Sequence, residues 1–355
     1  MWHCAMSKLA FRPLWQALRR RLMLPLQLHQ AGVLGMNARN RLYISRYNPR
    51  TLYPLVDNKL KTKRLAEQAG IAVPELIGTI QSQHEVETLG QQLSGIPAFV
   101  IKPAKGSGGK GIVVVQSCEG DYWVRANGSP IMLSELKRHA SNILAGLHSL
   151  GGSPDVAIIE RCIQFDDSLQ RFSYEGVPDV RVIVCRGYPV MAMTRLATRA
   201  SDGKANLHQG AVGVGLGLAN GQALHGVQNG LPMMQHPDTQ EKLSELFIPQ
   251  WQDLLVLAAR CYDMTGLGYL GADIVIDRQH GPLLLELNAR PGLAIQLANG
   301  AGLLPRLKVI DALAAADLQR PAEERVALCQ QWFGAGHLGA ACGMEDHFES
   351  GTDRL

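Results

Sequence analysis

The chain has 355 residues, 46% of them hydrophobic and 19% charged, with a formal net charge of +4 at pH 7. A chain of this length buries a substantial core in two or three subdomains, and no apolar run in it reaches the length of a bilayer-spanning helix. Its seven cysteines, Cys4, Cys118, Cys162, Cys185, Cys261, Cys329 and Cys342, are odd in number and scattered without a CxxC pair. That pattern argues against a disulfide framework and a zinc site and for a reducing compartment, which places the protein in the cytoplasm.

The small net charge conceals an asymmetry. Residues 1–50 carry nine basic side chains and no acid, so the remainder is mildly acidic. Leu14, Trp15, Leu18 and Leu22 recur at helical spacing among the arginines, which predicts a short basic amphipathic helix ended by Pro25. Three readings compete for this arm, which with its connector runs over 1–56. It docks on an anionic membrane surface or acidic partner, or it is a transit peptide, or it packs on the body with its charges solvated; the last ranks first.

From Asp57 the pattern is globular. Residues 57–70, DNKLKTKRLAEQAG, read as a helix with an acidic start and a glycine stop, and helical spacing returns over Glu85–Leu93. Phe99–Val115, FVIKPAKGSGGKGIVVV, reads as strand, glycine loop, strand. Gly106-x-Gly108-x-x-Gly111 satisfies the dinucleotide fingerprint, but a strand rather than a helix follows it. Lys110 is followed by Gly111 instead of Ser or Thr, so a P-loop fails as well, and no kinase HRD or DFG element lies downstream. What remains is a flap rich in backbone N–H groups, Gly106, Ser107, Gly108 and Gly109 among them, with Lys102, Lys105 and Lys110 beside it. Such a flap suits polyphosphate. Ser117–Pro154 reads as looser chain. A strand over Val156–Ile159 then ends in Glu160, and two more fill Asp179–Met193. In the loop that follows, Arg195, Arg199, Lys204 and His208 gather with little acid nearby in sequence. Gly213, Gly215 and Gly217 alternate with apolar residues, leaving one strand face bare for close approach by another segment. Helices are expected over Leu243–Thr265 and Leu303–Ala315, and a helix with a tail over 321–355.

Between the helices expected over Leu243–Thr265 and Leu303–Ala315 lies the hairpin GADIVIDRQHGPLLLELNARPG, residues 271–292, with strands over Ala272–Ile276 and Leu283–Leu287. A four-residue turn over Arg278–Gly281 pairs 277 with 282 and sets Asp273 opposite Glu286. Glu286 and Asn288 share one face, and Leu285 and Leu287 the other. Two carboxylates and an amide on otherwise apolar strands call for a cation between them; oxygen-only donors suit magnesium. The bland alternative is a hairpin with acids on its wet face.

In order, a helix with Lys59, the FVIKP…GSGGKG flap, a strand ending in Glu160, a basic loop and this hairpin resemble the ATP-grasp superfamily. DVR at 179–181, KANLHQGA at 204–211, GADIV at 271–275 and LELNARPGL at 285–293 resemble its RimK-type ligases, nearest the alpha-L-glutamate ligase-like proteins. The resemblance spans roughly Asp57 to Ala315. It implies an α/β fold of α+β layers, two subdomains (57–159 and 160–320) clasping ATP, and a truncated N-terminal region. It further implies that Lys59 and Lys102 hold phosphates, with Lys204 and Asn206 of the basic loop also at the nucleotide. Glu160 with the backbone of Cys162 and Ile163 would take the adenine edge, and Asp167 or Asp166 the ribose. Asp273, Glu286 and Asn288 would hold one or two magnesium ions, with manganese as a substitute. His208 and the Cys162 thiol are read as a loop-fixing hydrogen bonder and a small buried hydrophobe.

The implied chemistry is carboxylate–amine ligation through an acyl phosphate, with Arg290, Arg181 and Arg195 as the candidate oxyanion donors. The partners expected are a glutamate-like amino acid and an amine acceptor (protein tail, peptide or small molecule), with no nucleic acid; a homo-oligomer is left open. The rival reading is an ATP-binding regulatory or membrane-recruited protein without turnover.

Overall fold

Alternating apolar residues build two antiparallel sheets, each with its own core. The structure, a computed structural model, describes residues 26–106 and 108–334. The basic helix expected over Leu14–Leu22, Ser107 of the flap and the tail beyond Gly334 lie outside the described residues.

The first sheet comprises β1 (Leu76–Ile80), β2 (Phe99–Pro103), β3 (Val113–Glu119), β4 (Tyr122–Arg125), β5 (Pro130–Ile131) and β6 (Ala157–Arg161), in the order β1-β6-β2-β3-β4-β5. Phe99, Ile101, Ala157 and Ile159 point from β2 and β6 into an apolar core. The period of two then sends Val100, Lys102, Ile158 and Glu160 to the opposite face. The stretch 117–154, expected to be loose, instead holds β4, β5 and a helix over Leu133–Leu144. That helix packs Leu133, Leu136, Ala140, Ile143 and Leu144 on the first core, a three-to-four-residue spacing that the sequence carried.

The second sheet comprises β7 (Asp179–Cys185), β8 (Tyr188–Leu196), β9 (Val212–Leu216), β10 (Ala223–Gln228), β11 (Leu231–Met233), β12 (Tyr269–Asp277) and β13 (Gly281–Asn288), in the order β11-β10-β9-β8-β7-β12-β13. A helix over Trp251–Thr265 packs on its inner strands through Leu254, Leu255 and Ala258. The bare face of β9 receives the short helix Ile295–Asn299: a Cβ at Gly215 would lie 2.3 Å from the Ala298 carbonyl oxygen.

The hairpin of β12 and β13 departs from expectation in a way that cancels. The turn is tighter, pairing Asp277 with Gly281, and a β-bulge between Asp273 and Ile274 leaves Leu285 as the extra residue. Asp273 therefore still faces Glu286. The bulge also re-aims Leu285, which lines the same cleft as Glu286 instead of lying behind it with Leu287. The turn is tight because Asp277 accepts hydrogen bonds from the amides of Gln279 (2.9 Å) and His280 (3.0 Å).

The described part of the basic arm is core. Leu34, Tyr43 and Ile44 are buried against the second sheet. Asn48 donates to the carbonyls of Tyr269 (2.6 Å) and Ala289 (2.9 Å) and accepts from the Tyr269 amide (2.9 Å). From Leu34 onward the arm is thus packed on the body, the reading ranked first for it. Asn48→Ala leaves three buried backbone groups unpaired and is expected to cost roughly 2–4 kcal/mol. An unchanged urea midpoint would show that these bonds add nothing to the fold.

Candidate functional site

Between the two sheets lies a cleft of about 1040 Å³. Its wall on the first sheet is the face of β2 and β6 that carries Val100, Lys102 and Glu160. Its wall on the second is a cross-strand row. Arg181 of β7 pairs with Asp273 of β12, which pairs with Glu286 of β13, while Asp179 of β7 pairs with Arg195 of β8.

Burial forces every charge here to find a partner. Asp273, 1% exposed, accepts from Arg181 Nε (2.7 Å) and Nη2 (2.5 Å) and from Arg195 Nη2 (2.8 Å). Burial alone would raise its pKa; the two guanidiniums outweigh that and hold it well below the usual carboxylate range. Arg195 also grips Asp179 through Nε at 2.7 Å. Burial, opposed by Arg195 but reinforced by Asp273, pushes Asp179 up to about 6. Arg195 thus serves two acids, and Asp273 is served by two arginines. Of the cluster that looked short of acid in the sequence, Arg195 is met by Asp179 of β7 and Asp273 of β12, and Lys204 by Asp202 of its own loop.

Glu286 lies 3.4 Å from Lys59 Nζ, which also donates to the Gly106 carbonyl at 2.6 Å. The Asn288 amide stands 3.3 Å from Asp273 and 3.4 Å from Glu286. The structure thus brings Lys59, Lys102, Gly106, Gly108, Gly109, Glu160, Cys162, Ile163, Arg181, Arg195, Lys204, Asn206, Asp273, Glu286 and Asn288 to one cleft, with His208 at its rim. The flap meets the basic loop there, where Gln209 donates to the Gly108 carbonyl at 3.4 Å.

Three expectations change. Arg290 is exposed, lies over the Tyr53 ring and is not among the cleft-lining residues, because the chain turns away after Asn288. Asp167 is exposed and bonded to Arg278, while Asp166 caps the short helix Asp167–Gln170, so neither acid lines the cleft. Glu160 is 3% exposed, with one oxygen 2.6 Å from Lys102 and the other 2.9 Å from Lys63, so its carboxylate is committed to lysines rather than free for a base edge. Cys162 is part-buried and burial raises its thiol pKa, so the thiol stays protonated.

Lys63, Arg125 and Glu175 went unread. Lys63 follows Lys59 by one helical turn on the helix Lys59–Gln68, and that i, i+4 spacing was a visible signal. Arg125 at the end of β4 and Glu175 in the loop before β7 reach the cleft only through tertiary folding.

Burial would raise the Glu160 carboxyl, but Lys102 and Lys63 hold it below its ordinary value. For Lys63 the balance is reversed: burial lowers its ammonium more than Glu160 restores it, so Lys63 is the costly member of the group. The stabilisation from Glu160 is present above the ordinary carboxylate pKa and is lost only as pH falls through the depressed value. Glu160→Gln leaves two buried ammonium groups without a counter-charge, with an expected loss of roughly 3–5 kcal/mol in denaturant unfolding. A loss below about 1 kcal/mol would mean that the lysines move out to water.

Two antiparallel sheets gripping a cleft lined by a glycine flap and opposed clusters of lysines and acids define an ATP-grasp protein. The model of the sugar-transfer associated ATP-grasp family matches residues 38–312, and the chain belongs to that family. It is also similar to a probable alpha-L-glutamate ligase of Maridesulfovibrio salexigens, 26% identical over 66% of this chain and 56% of that protein. A second, from Thioalkalivibrio sulfidiphilus, is 25% identical over 70% of this chain and 61% of its own. The chain thus spans little more than half the length of these curated relatives. Among solved structures, a D-alanine-D-alanine ligase from Coxiella burnetii matches 79% of this chain and 59% of its own at 12% identity, with a TM-score of 0.40. The superfamily read from motif order is borne out; the sugar-transfer association was not legible in it.

Proposed function

We propose that this chain is an ATP- and magnesium-dependent carboxylate–amine ligase. The observation that carries the reading is the facing of two clusters across one cleft: Lys59, Lys102 and the glycine flap on one side, Asp273, Glu286 and Asn288 on the other. The first suits a triphosphate. The second fits a hard cation, since its donors are oxygens and an amide whose oxygen and nitrogen exchange by a flip. Glu286, 34% exposed, is the freer carboxylate, while Asp273 is already held by arginine. Magnesium bound there screens phosphate charge during transfer; manganese and a second ion are compatible with the same donors.

In this reading a substrate carboxylate oxygen attacks the γ-phosphorus, the bond to the β-phosphate oxygen breaks, and ADP leaves. The acyl phosphate is then attacked at carbon by an amine; phosphate departs and the amine sheds its proton to water. Lys59 and Lys102 orient the phosphates, and the backbone of Cys162 and Ile163 is left to meet the adenine edge. Arg181 and Arg195, fixed by Asp273 and Asp179, keep N–H donors beyond those bonds for the developing oxyanion. The names of the curated relatives favour a glutamate-like amino acid. The family's association with sugar transfer adds amino sugars to the peptides and small amines to be tried as acceptors.

The test is incubation with ATP, magnesium and pools of amino acids, peptides and amino sugars, reading ADP, phosphate and product mass. Hydroxylamine should trap an acyl phosphate as a hydroxamate. Glu286→Gln is expected to lower turnover by roughly two orders of magnitude while the protein stays folded. Unchanged ADP release by that variant at saturating magnesium contradicts the metal assignment, and ADP release without hydroxamate contradicts the acyl phosphate.

A further inference from the structure

Three ion-paired groups carry the phosphate, metal and oxyanion candidates of the cleft, and one of the three is unbalanced. Arg181 and Arg195 face Asp273 and Asp179, two against two. Lys59 faces Glu286, one against one. Lys102 and Lys63 share the single carboxylate of Glu160, leaving one positive charge in excess.

From this we infer that Lys63, which is not among the cleft-lining residues, sets the charge that Lys102 presents to phosphate; the inference rests on the nucleotide reading above. Glu160 and Lys102 stand diagonally across β6 and β2, because Glu160 pairs with Val100 and Lys102 with Ile158. Left to themselves they would close into a neutral pair, and an ammonium so matched attracts an anion weakly. Lys63 reaches Glu160 from the helix Lys59–Gln68, which packs on the same face of the sheet through Leu60 against Ile158. Lys63 is 5% exposed and is held there by a second bond to the Pro74 carbonyl. It takes one carboxylate oxygen and lets Lys102, on the other, keep its charge toward the cleft. Burial makes the arrangement costly, and that cost is hard to explain by packing alone, since an apolar side chain would fill the same place without it. Lys63 is thus a positioning residue that acts through Glu160.

Binding of ATP, ADP and adenosine, followed by calorimetry on the full chain, tests this. Lys63→Met should weaken ATP by roughly tenfold or more and leave adenosine within about twofold, because only phosphates sense the lost charge. Adding Glu160→Gln to Lys63→Met restores one unmatched charge on Lys102 and should recover most of the ATP affinity. A purely structural role predicts no such rescue. Wild-type-like ATP binding by Lys63→Met overturns the role, as does equal loss of ATP and adenosine, or a double variant no better than the single one. If Lys63→Met does not fold, the double variant decides, since its one unmatched ammonium, Lys102, lines the cleft and can meet water or phosphate there. A preference for ATP over adenosine near that of the wild type supports the role, and a tenfold smaller preference overturns it. A wild type that binds no ATP overturns both the role and the nucleotide reading, whereas the other failures overturn the role alone.

Discussion

Two carboxylates set side by side on apolar strands cannot both stay charged unless cations come to them, and the second sheet is arranged around that constraint. The register places Asp273 between Arg181 and Glu286, and Arg195 closes on Asp273 from the next strand. β8, β7 and β12 each contribute a charge whose counter-charge lies on a neighbouring strand, and Glu286 of β13 is met by Lys59 from a helix. A slip of one residue in any pairing would turn a charge into the apolar core, so the same constraint that shapes the site also fixes the register.

The first sheet solves the same problem with less symmetry. Glu160 is too buried to stand alone and has no arginine opposite it, so two lysines from different elements reach it, one along the sheet and one from the helix packed on the same face. Lys59, one turn earlier on that helix, ties the flap carbonyl of Gly106 to Glu286 of the opposite sheet. One short helix therefore supplies cations to both sheets, and its cap at Asn58, whose side chain accepts from the Lys61 amide at 3.1 Å, fixes where both lysines start.

Much of this was legible in the sequence because it is local. The glycine flap, the strand ending in Glu160 and the acid-bearing hairpin each carry their period and their turn residues within about twenty positions. Even the facing of Asp273 and Glu286 was reached, although through a turn one residue too long that an unseen bulge offsets. What stayed hidden depends on partners far away in the chain. Asp273, which holds Arg195, lies 78 positions downstream on β12, and Glu160, which holds Lys63, lies 97 positions downstream. Arg290 and Asp167 were given roles by neighbouring motifs, but a side chain just past a strand end or helix start points where the local turn sends it, and both turn outward.

The arm shows the same limit from the other side. Its charge pattern, strongly basic and free of acid, reads as a separate element because charge is what distinguishes it. Its apolar residues, Leu34, Tyr43 and Ile44, are too few to show a period, yet they fill the base of the second sheet. Asn48 bonds the first residue of β12 and the residue just after β13, and Arg39 donates to the Pro291 carbonyl at 2.7 Å. Those contacts pin both ends of the hairpin close to Gly271 and Asn288, the pair that stands two residues beyond the facing acids. Part of the arm that carries none of the cleft-lining residues therefore decides where the acids of the cleft can sit.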